Sequence, residues 1–205
     1  MGAEMSGGVF PTTVDEGTAI YKFKVTLNHF KPAIWRRVEV PGYFDFSQFA
    51  QVIIQAMGWH GGHLHEFSNN NHFRILNKDP NDPYFGEFGD DRDAKEINIS
   101  DIFSMTGMKS LKFTYDMGDN WQHKVLLEAV FPAVADQEYP VCTAGRNACP
   151  PEDCGSVSGY ANLLEAIKDP NHREHKEMKE WLDFCGYENF DPKKFNKDEV
   201  HFFEV

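Results

Sequence analysis

The hydrophobic periodicity of the chain changes from two residues to helical spacing within residues 21–58. Residues 21–28, YKFKVTLN, alternate apolar and polar side chains, which is typical of a half-buried β-strand. Residues 34–40, IWRRVEV, predict a second strand that is closed by Pro41-Gly42. In residues 46–57 the apolar side chains recur at helical spacing, after a capping Asp45 or Ser47 and before Gly58. A chain in which strands and helices both occur but do not alternate regularly is expected to have an α+β fold.

The later segments continue this mixture of strands and helices. HLHEF and HFRIL flank a turn at 68–71, and LKFTYD and WQHKVLLEAVF flank a turn at 117–120, so each pair is expected to form a hairpin. Residues 77–96 predict a surface loop and 97–103 a short element of undecided type. Residues 158–169 and 173–186 predict amphipathic helices, and 190–203 a short final strand.

The fold class that follows is α+β, as a single domain over residues 18–205. We expect a mostly antiparallel sheet with one central helix and two C-terminal helices packed on it. Residues 1–17 are expected to be a flexible leader.

The charge balance limits the expected partners. Thirty-two acidic residues stand against 20 basic ones, and the formal net charge is −12. Such a surface repels phosphate backbones and anionic membranes, so nucleic acid is disfavoured and a protein partner is compatible. No segment reaches the roughly 20 apolar residues of a membrane-spanning helix. Sparse cysteines and the lack of a secretory signal predict a cytoplasmic location.

Three histidines surround two glycines in WHGGHLHE, residues 59–66. On a strand, His63 and His65 would point to the same face, which is how two imidazoles can bind one metal ion. His60 could reach the same ion through the glycines. The alternative is that these are exposed or hydrogen-bonded histidines at the start of a strand.

The turn sequence DMGDNWQH, residues 116–123, brings two carboxylates and a histidine close together. Asp116 and Asp119 could hydrogen-bond their own turn, as turn aspartates commonly do. Alternatively, Asp119 and His123 project from the hairpin into a site. Trp121 is expected to be buried at the edge of the sheet.

The segment YPVCTAGRNACPPEDCGSVSGY, residues 139–160, holds three of the four cysteines and is predicted to be a loop. Its spacings are C-x₆-C and C-x₄-C, which differ from the C-x₂-C of zinc ribbons. The loop could still fold back so that two thiols share one ion, such as zinc, with imidazoles from the sheet. The candidate metal ligands are His63, His65, His123, Cys142 and Cys149.

The alternative for this segment is a buried knot without metal. The thiols would then pack as small hydrophobic groups, and Arg146 would pair with Glu152 or Asp153.

Taken together, these segments resemble the plasmid Ri-A4b open-reading-frame-three-like family. The similarity covers residues 18–200 through KPAIWRRVEVPGYFDFSQFAQVIIQAMGW, HLHEF, YDMGDNWQHKVLLE, the cysteine segment and FDPKKFN. It implies a single α+β domain with a mobile-element or resolvase-associated label and without an established reaction. Met117 and Ser156 depart from the family pattern. The resolvase label does not fit the residues, because none of the six arginines lies in a recombinase-like setting.

Three hypotheses for function remain open. The first is a non-catalytic binding or accessory domain with a structural metal or a cysteine knot. The second is a metal-dependent hydrolase-like enzyme with Glu152 or Asp153 as base. The third, nucleic-acid binding through Arg36, Arg37 and exposed aromatic side chains, is opposed by the net charge. The candidate binding residues are Arg36, Arg37, Asp116, Asp119, Trp121, Arg146, Glu152 and Asp153.

Overall fold

The computed structural model describes residues 18–69, 73–79, 85–86, 90–203 and 205. The predicted leader, 1–17, lies outside the described residues, as do the hairpin tip at 70–72 and parts of the predicted loop 77–96.

The described strands form one sheet. Their bounds are Ala19–Leu27 (β1), Trp35–Pro41 (β2), His65–Asn69 (β3), Phe73–Leu76 (β4), Asp91–Asp93 (β5), Ser110–Tyr115 (β6), Trp121–Pro132 (β7) and Val141–Arg146 (β8). The order across the sheet is β5-β4-β3-β6-β7-β1-β2-β8. All neighbours are antiparallel except β4 and β5, which run parallel. The predicted α+β class with a mostly antiparallel sheet is confirmed.

Helix α1 (Phe46–Met57) packs on one face of the sheet and contributes much of the core. Phe49 of this helix lies 4.7 Å from the ring of Phe23 in β1 and 5.4 Å from that of Phe67 in β3. The helix begins where the Asp45 side chain accepts a hydrogen bond from the Gln48 N–H at 2.8 Å. It ends at Gly58, whose φ of 95° is a left-handed conformation that glycine adopts without strain.

Three further helices are α2 (Ile99–Phe103), α3 (Ser156–Lys168) and α4 (His175–Phe184) among the described residues. Helices α3 and α4 are the two predicted C-terminal helices, and they bury Tyr160, Leu163 and Leu182. No described helix is both long enough and apolar enough to cross a membrane.

Two local predictions are wrong. Residues 141–146 were expected in a loop but form strand β8, because β2 has an edge with which Val141 to Arg146 can pair. The described residues of 190–203 form no strand; they include a 3₁₀ turn at Lys197–Glu199, where the Asn196 side chain accepts a hydrogen bond from the Asp198 N–H. The described end of the predicted loop 77–96 also holds strand β5 and a 3₁₀ turn at Ala94–Glu96.

Candidate functional site

Three segments that are distant in sequence meet at one end of the sheet. Strand β3 begins at His65, β6 ends at Tyr115 and β7 begins at Trp121, and these residues pair across the three strands. The chain before β3 and the turn between β6 and β7 therefore lie beside each other. The turn that precedes α3 joins them, because Asp119 Oδ2 accepts a hydrogen bond from the Gly155 N–H at 3.1 Å.

This arrangement brings together His63, Asp116 and Asp153, which we call the rim cluster. The Nδ1 atom of His63 lies 3.7 Å from Asp116 Oδ2, and its Nε2 atom lies 3.2 Å from Asp153 Oδ1. One ligand atom from each residue can be chosen so that all lie within 4.8 Å of one another. In the part of the chain that the structure describes, no other His, Cys, Asp or Glu side chains form such a group of three or more.

The turn conformation directs Asp116 toward His63. Asp116 has a φ of 57°, in the left-handed region that Asp tolerates better than most residues. Its Oδ1 atom accepts hydrogen bonds from the N–H groups of Gly118 at 2.8 Å and Asp119 at 3.2 Å. Asp116 thus hydrogen-bonds its own turn, as expected, through Oδ1, while its Oδ2 atom faces the imidazole of His63.

Asp153 is the solvent-exposed member of the rim cluster, since its side chain is 72% exposed. Its backbone is also left-handed, with a φ of 59°. Three positions with positive φ, Asp153, Gly155 and Ser156, turn the chain sharply at the start of α3. Strained or rare backbone conformations of this kind are concentrated at functional sites.

Glu152 forms a second polar group beside the rim cluster. Its carboxylate accepts hydrogen bonds from the Tyr115 hydroxyl, from the His60 N–H at 3.2 Å and from the His60 ring at 2.7 Å. Burial opposes ionisation of Glu152, but these hydrogen bonds outweigh it and lower the pKa of the carboxyl. Burial and the same contact raise the pKa of the Tyr115 hydroxyl, which therefore stays protonated as a donor.

Two other predicted histidine ligands lie outside the rim cluster: His123 is in the core, and His65 is partly buried at the start of β3. His123 is completely buried, and neither ring nitrogen meets a hydrogen-bond partner among the described residues. Its ring packs against Trp59 and Phe113 at 5.4 and 5.7 Å. Burial lowers the pKa of His123 to about 4 and also lowers the pKa of His65, so both are neutral at physiological pH.

The two predicted cysteine ligands flank a buried arginine, and we call Arg36, Cys142 and Cys149 the cysteine–arginine core. Arg36 is 3% exposed, and it donates hydrogen bonds to four backbone carbonyls. These acceptors are the carbonyl oxygens of Ala56 at 2.8 Å, Trp35 at 2.9 Å, Asn147 at 2.9 Å and Arg146 at 3.2 Å. Its guanidinium also lies 4.0 Å from the centre of the Phe195 ring.

Burial lowers the pKa of Arg36 and raises that of both thiols. Among the described residues, Cys142 and Cys149 do not come together with His63, His65 or His123 in a group that could hold one ion.

The remaining binding candidates are also separate from one another. Arg37 forms a bidentate pair with Glu128 at 2.6 and 3.0 Å. Trp121 is buried, as expected. Arg146 is exposed and forms no ion pair with Glu152 or Asp153, both of which are described.

The sequence reasoning missed the pairing of Tyr115 with Glu152 and the structural role of Arg36. Tyr115 and Glu152 are separated by 37 positions, and no local motif connects them. The buried position of Arg36 could have been predicted, because Arg36 occupies an inward-facing position in the alternation of β2, between Ile34 and Val38.

Comparison with known proteins gives three results. The model of the family described as "Plasmid pRiA4b ORF-3-like protein" matches residues 19–199. An uncharacterised protein, y4hQ, from Sinorhizobium fredii is 36% identical over 188 residues, which are 89% of each chain. The crystal structure of a protein of unknown function, MM3350, from Methanosarcina mazei Go1 superposes with a TM-score of 0.79 at 36% identity, covering 90% of this chain and 99% of that one. The chain therefore belongs to the plasmid pRiA4b ORF-3-like family.

Proposed function

We propose that this protein is a non-catalytic binding protein that holds a divalent metal ion in the rim cluster and, through it, an oxygen-donor ligand. The observation that carries the proposal is the meeting of one imidazole and two carboxylates from three separate segments within 4.8 Å. Because the family is named for a plasmid reading frame, an accessory role on such elements is part of the proposal.

The spacing of the ligand atoms is close to that needed for an ion. Two ligands bound at about 2.1 Å to one metal are themselves about 3.0–3.6 Å apart, for bond angles from octahedral to trigonal. With one atom taken from each residue, the three ligand atoms lie within 4.8 Å of one another, so they must move closer to bind one ion. The contacts of 3.2 and 3.7 Å join the two carboxylates to different ring nitrogens of His63, and only one of these nitrogens can bind the ion. One side chain must therefore rotate, and the exposed Asp153 can do so.

The charges of the rim cluster also support a bound divalent ion. Asp116 is a buried carboxylate whose Oδ2 atom lies beyond hydrogen-bonding distance of His63. A buried charge is stabilised when it is paired or when it binds a metal. A divalent ion would neutralise Asp116 and Asp153 together.

The solvent-facing side of the cluster leaves room for a ligand. Three protein ligands fill only part of the coordination shell of a divalent ion, and sites of this kind keep positions for water or a bound molecule. A carboxylate or phosphate group of the ligand would complete the shell.

Metal-dependent hydrolysis is the second candidate, and the same open coordination positions favour it. Of the two predicted bases, Asp153 belongs to the rim cluster itself, and Glu152 has a lowered pKa and hydrogen bonds to Tyr115 and His60 that make it a weak base. We therefore place binding ahead of hydrolysis.

Isothermal titration of the metal-free protein with Mn²⁺ and Zn²⁺ tests the proposal. We expect one ion per chain, with affinity reduced about tenfold or more in His63→Ala and in Asp153→Asn, since even indirect partners of a metal contribute that much. His201→Ala, an exposed histidine elsewhere, is the matched control and should bind as the wild type does. Equal affinity in all four proteins would refute the rim cluster as the site.

The hydrolase candidate has its own test. Metal-loaded protein is incubated with p-nitrophenyl phosphate and p-nitrophenyl acetate. Release of nitrophenol that disappears in His63→Ala would favour hydrolysis over binding alone.

A further inference from the structure

A separate cavity of about 440 Å³ lies between the β1–β2 connection, α3 and the segment around Pro192. Its wall is mainly apolar and includes Phe30, Ile34, Tyr160, Leu164 and Ile167. Phe30 and Tyr160 pack against each other at 4.8 Å. The volume is within the range of about 300–1,000 Å³ that is typical of small-molecule sites. The cavity shares no lining residue with the rim cluster.

One buried polar group on the wall has an unused acceptor. Asn147 is 6% exposed and lines the cavity. Its Nδ2 atom donates to the Ala33 carbonyl at 2.8 Å, and its backbone carbonyl accepts from Arg36. Its Oδ1 atom accepts from no described residue, and it is not one of the side-chain oxygens that are buried without a partner, so solvent reaches it. An N–H or O–H group of a ligand can therefore replace water at this acceptor.

Two lysines, Lys168 and Lys193, also line the cavity and are exposed. Neither forms an ion pair with any described carboxylate. In a chain of net charge −12, two unpaired cations beside one apolar cavity make a local attraction for anions.

We propose that this cavity binds a small organic anion. The apolar wall would take an aromatic or aliphatic body, Asn147 Oδ1 would accept from an N–H or O–H group of the ligand, and Lys168 and Lys193 would pair with its carboxylate or sulfonate. This site is independent of the metal site.

The probe for the experiment is 8-anilinonaphthalene-1-sulfonate, which combines an aromatic body, an N–H group and a sulfonate. Its fluorescence is titrated against the folded wild-type protein, with folding checked by circular dichroism. We expect saturation at one molecule per chain. N-Phenyl-1-naphthylamine, which has the same body and N–H but no charge, is titrated in parallel.

Two variants separate the parts of the site. Leu164→Trp fills the cavity and should weaken the binding of both probes about tenfold or more, which corresponds to at least about 1.4 kcal/mol. The double variant Lys168→Glu and Lys193→Glu should weaken only the sulfonate probe. Lys176→Glu with Lys179→Glu on α4 makes the same change in net charge and should leave both probes unaffected.

The proposal is overturned if the sulfonate probe binds the Lys168/Lys193 variant as tightly as the Lys176/Lys179 variant. It is also overturned if a folded Leu164→Trp variant binds both probes as the wild type does. Because Lys168 and Lys193 are exposed, their charge reversal tests the proposal even if the Leu164→Trp variant fails to fold.

Discussion

The rim cluster and the cysteine–arginine core both contain side chains of types that can bind metals, but they differ in the type of side chain, in solvent access and in charge. The rim cluster has two carboxylates, an imidazole and an open side. The cysteine–arginine core has a buried guanidinium and two buried thiols whose pKa values are raised. The difference shows that residue type and spacing do not identify a metal site until burial and neighbouring charge are known.

Burial gives the two regions different tasks. At the cysteine–arginine core, Arg36 links α1, β2 and β8 through carbonyl oxygens, so its removal should affect folding. At the rim cluster, His63 and Asp153 lie outside the hydrophobic core, so their removal should mainly affect ligand binding. The following predictions test this division from the largest expected effect to the smallest.

The largest effect is expected from Arg36→Met. This change retains an apolar stem but leaves four carbonyl oxygens without their donor, and it should lower the free energy of unfolding by about 3–5 kcal/mol. Urea denaturation followed by circular dichroism measures the change. The neighbouring Arg37→Met, which removes only a half-exposed ion pair with Glu128, should lower it by less than about 1 kcal/mol. Similar losses in both variants would contradict a special role for Arg36.

Acid should destabilise the protein through His123. Burial lowers the pKa of this histidine from 6.5 to about 4 in the folded state, so between these values the unfolded chain binds a proton that the folded chain does not. Its contribution to stability is complete above pH 6.5 and is lost as the pH falls toward 4.

The size of this effect can be isolated with His123→Leu, which places an apolar group in the same surroundings. Between pH 7 and pH 4.5 the wild type should lose about 2–3 kcal/mol more unfolding free energy than the variant. His65, whose pKa is also lowered, remains in both proteins and does not affect the difference. Parallel pH profiles for the two proteins would show that His123 is not buried as a neutral group.

A smaller loss of stability is expected from Cys149→Ser. A hydroxyl is more costly to bury without partners than a thiol, so unfolding should become easier by about 1–2 kcal/mol. Metal affinity should not change. If the Cys149→Ser protein folds normally but no longer binds metal, the metal site lies at the cysteines and not at the rim cluster.

The smallest effect on stability is expected from Asp116→Asn. The amide oxygen can still accept from the N–H groups of Gly118 and Asp119, so the unfolding free energy should change by less than about 1 kcal/mol. The negative charge is lost, and metal affinity should fall about tenfold or more. A large loss of stability with intact metal binding would assign Asp116 to the turn alone.

Much of the fold could be predicted from local sequence. The alternation in β1 and β2, the cap at Asp45 and the left-handed Gly58 each act over a few residues, and each is found in the structure. Strand β8 was missed because its Cys and Gly residues resemble a loop, and only the edge of β2 makes it a strand. Such tertiary pairing is not visible in a single sequence.

The candidate site was predictable only in part. His63, Asp116 and Asp153 were all named as candidates, but not as one group. Local alternation could not show that His123 is enclosed by the core while His65 is only partly buried. His63 lies two residues before the first residue of β3 and stays at the rim. Distances between segments, which decide the ligand set, depend on the order of the strands.

Cobalt substitution tests the central claim most directly. The metal-free protein is titrated with Co²⁺, and the absorption spectrum is recorded from the near ultraviolet to the visible. If the ion binds the imidazole and carboxylates of the rim cluster, weak visible bands should saturate at one equivalent, without a thiolate-to-cobalt charge-transfer band, and should be lost in His63→Ala. An intense near-ultraviolet charge-transfer band that persists in His63→Ala and disappears in Cys149→Ser would contradict the account.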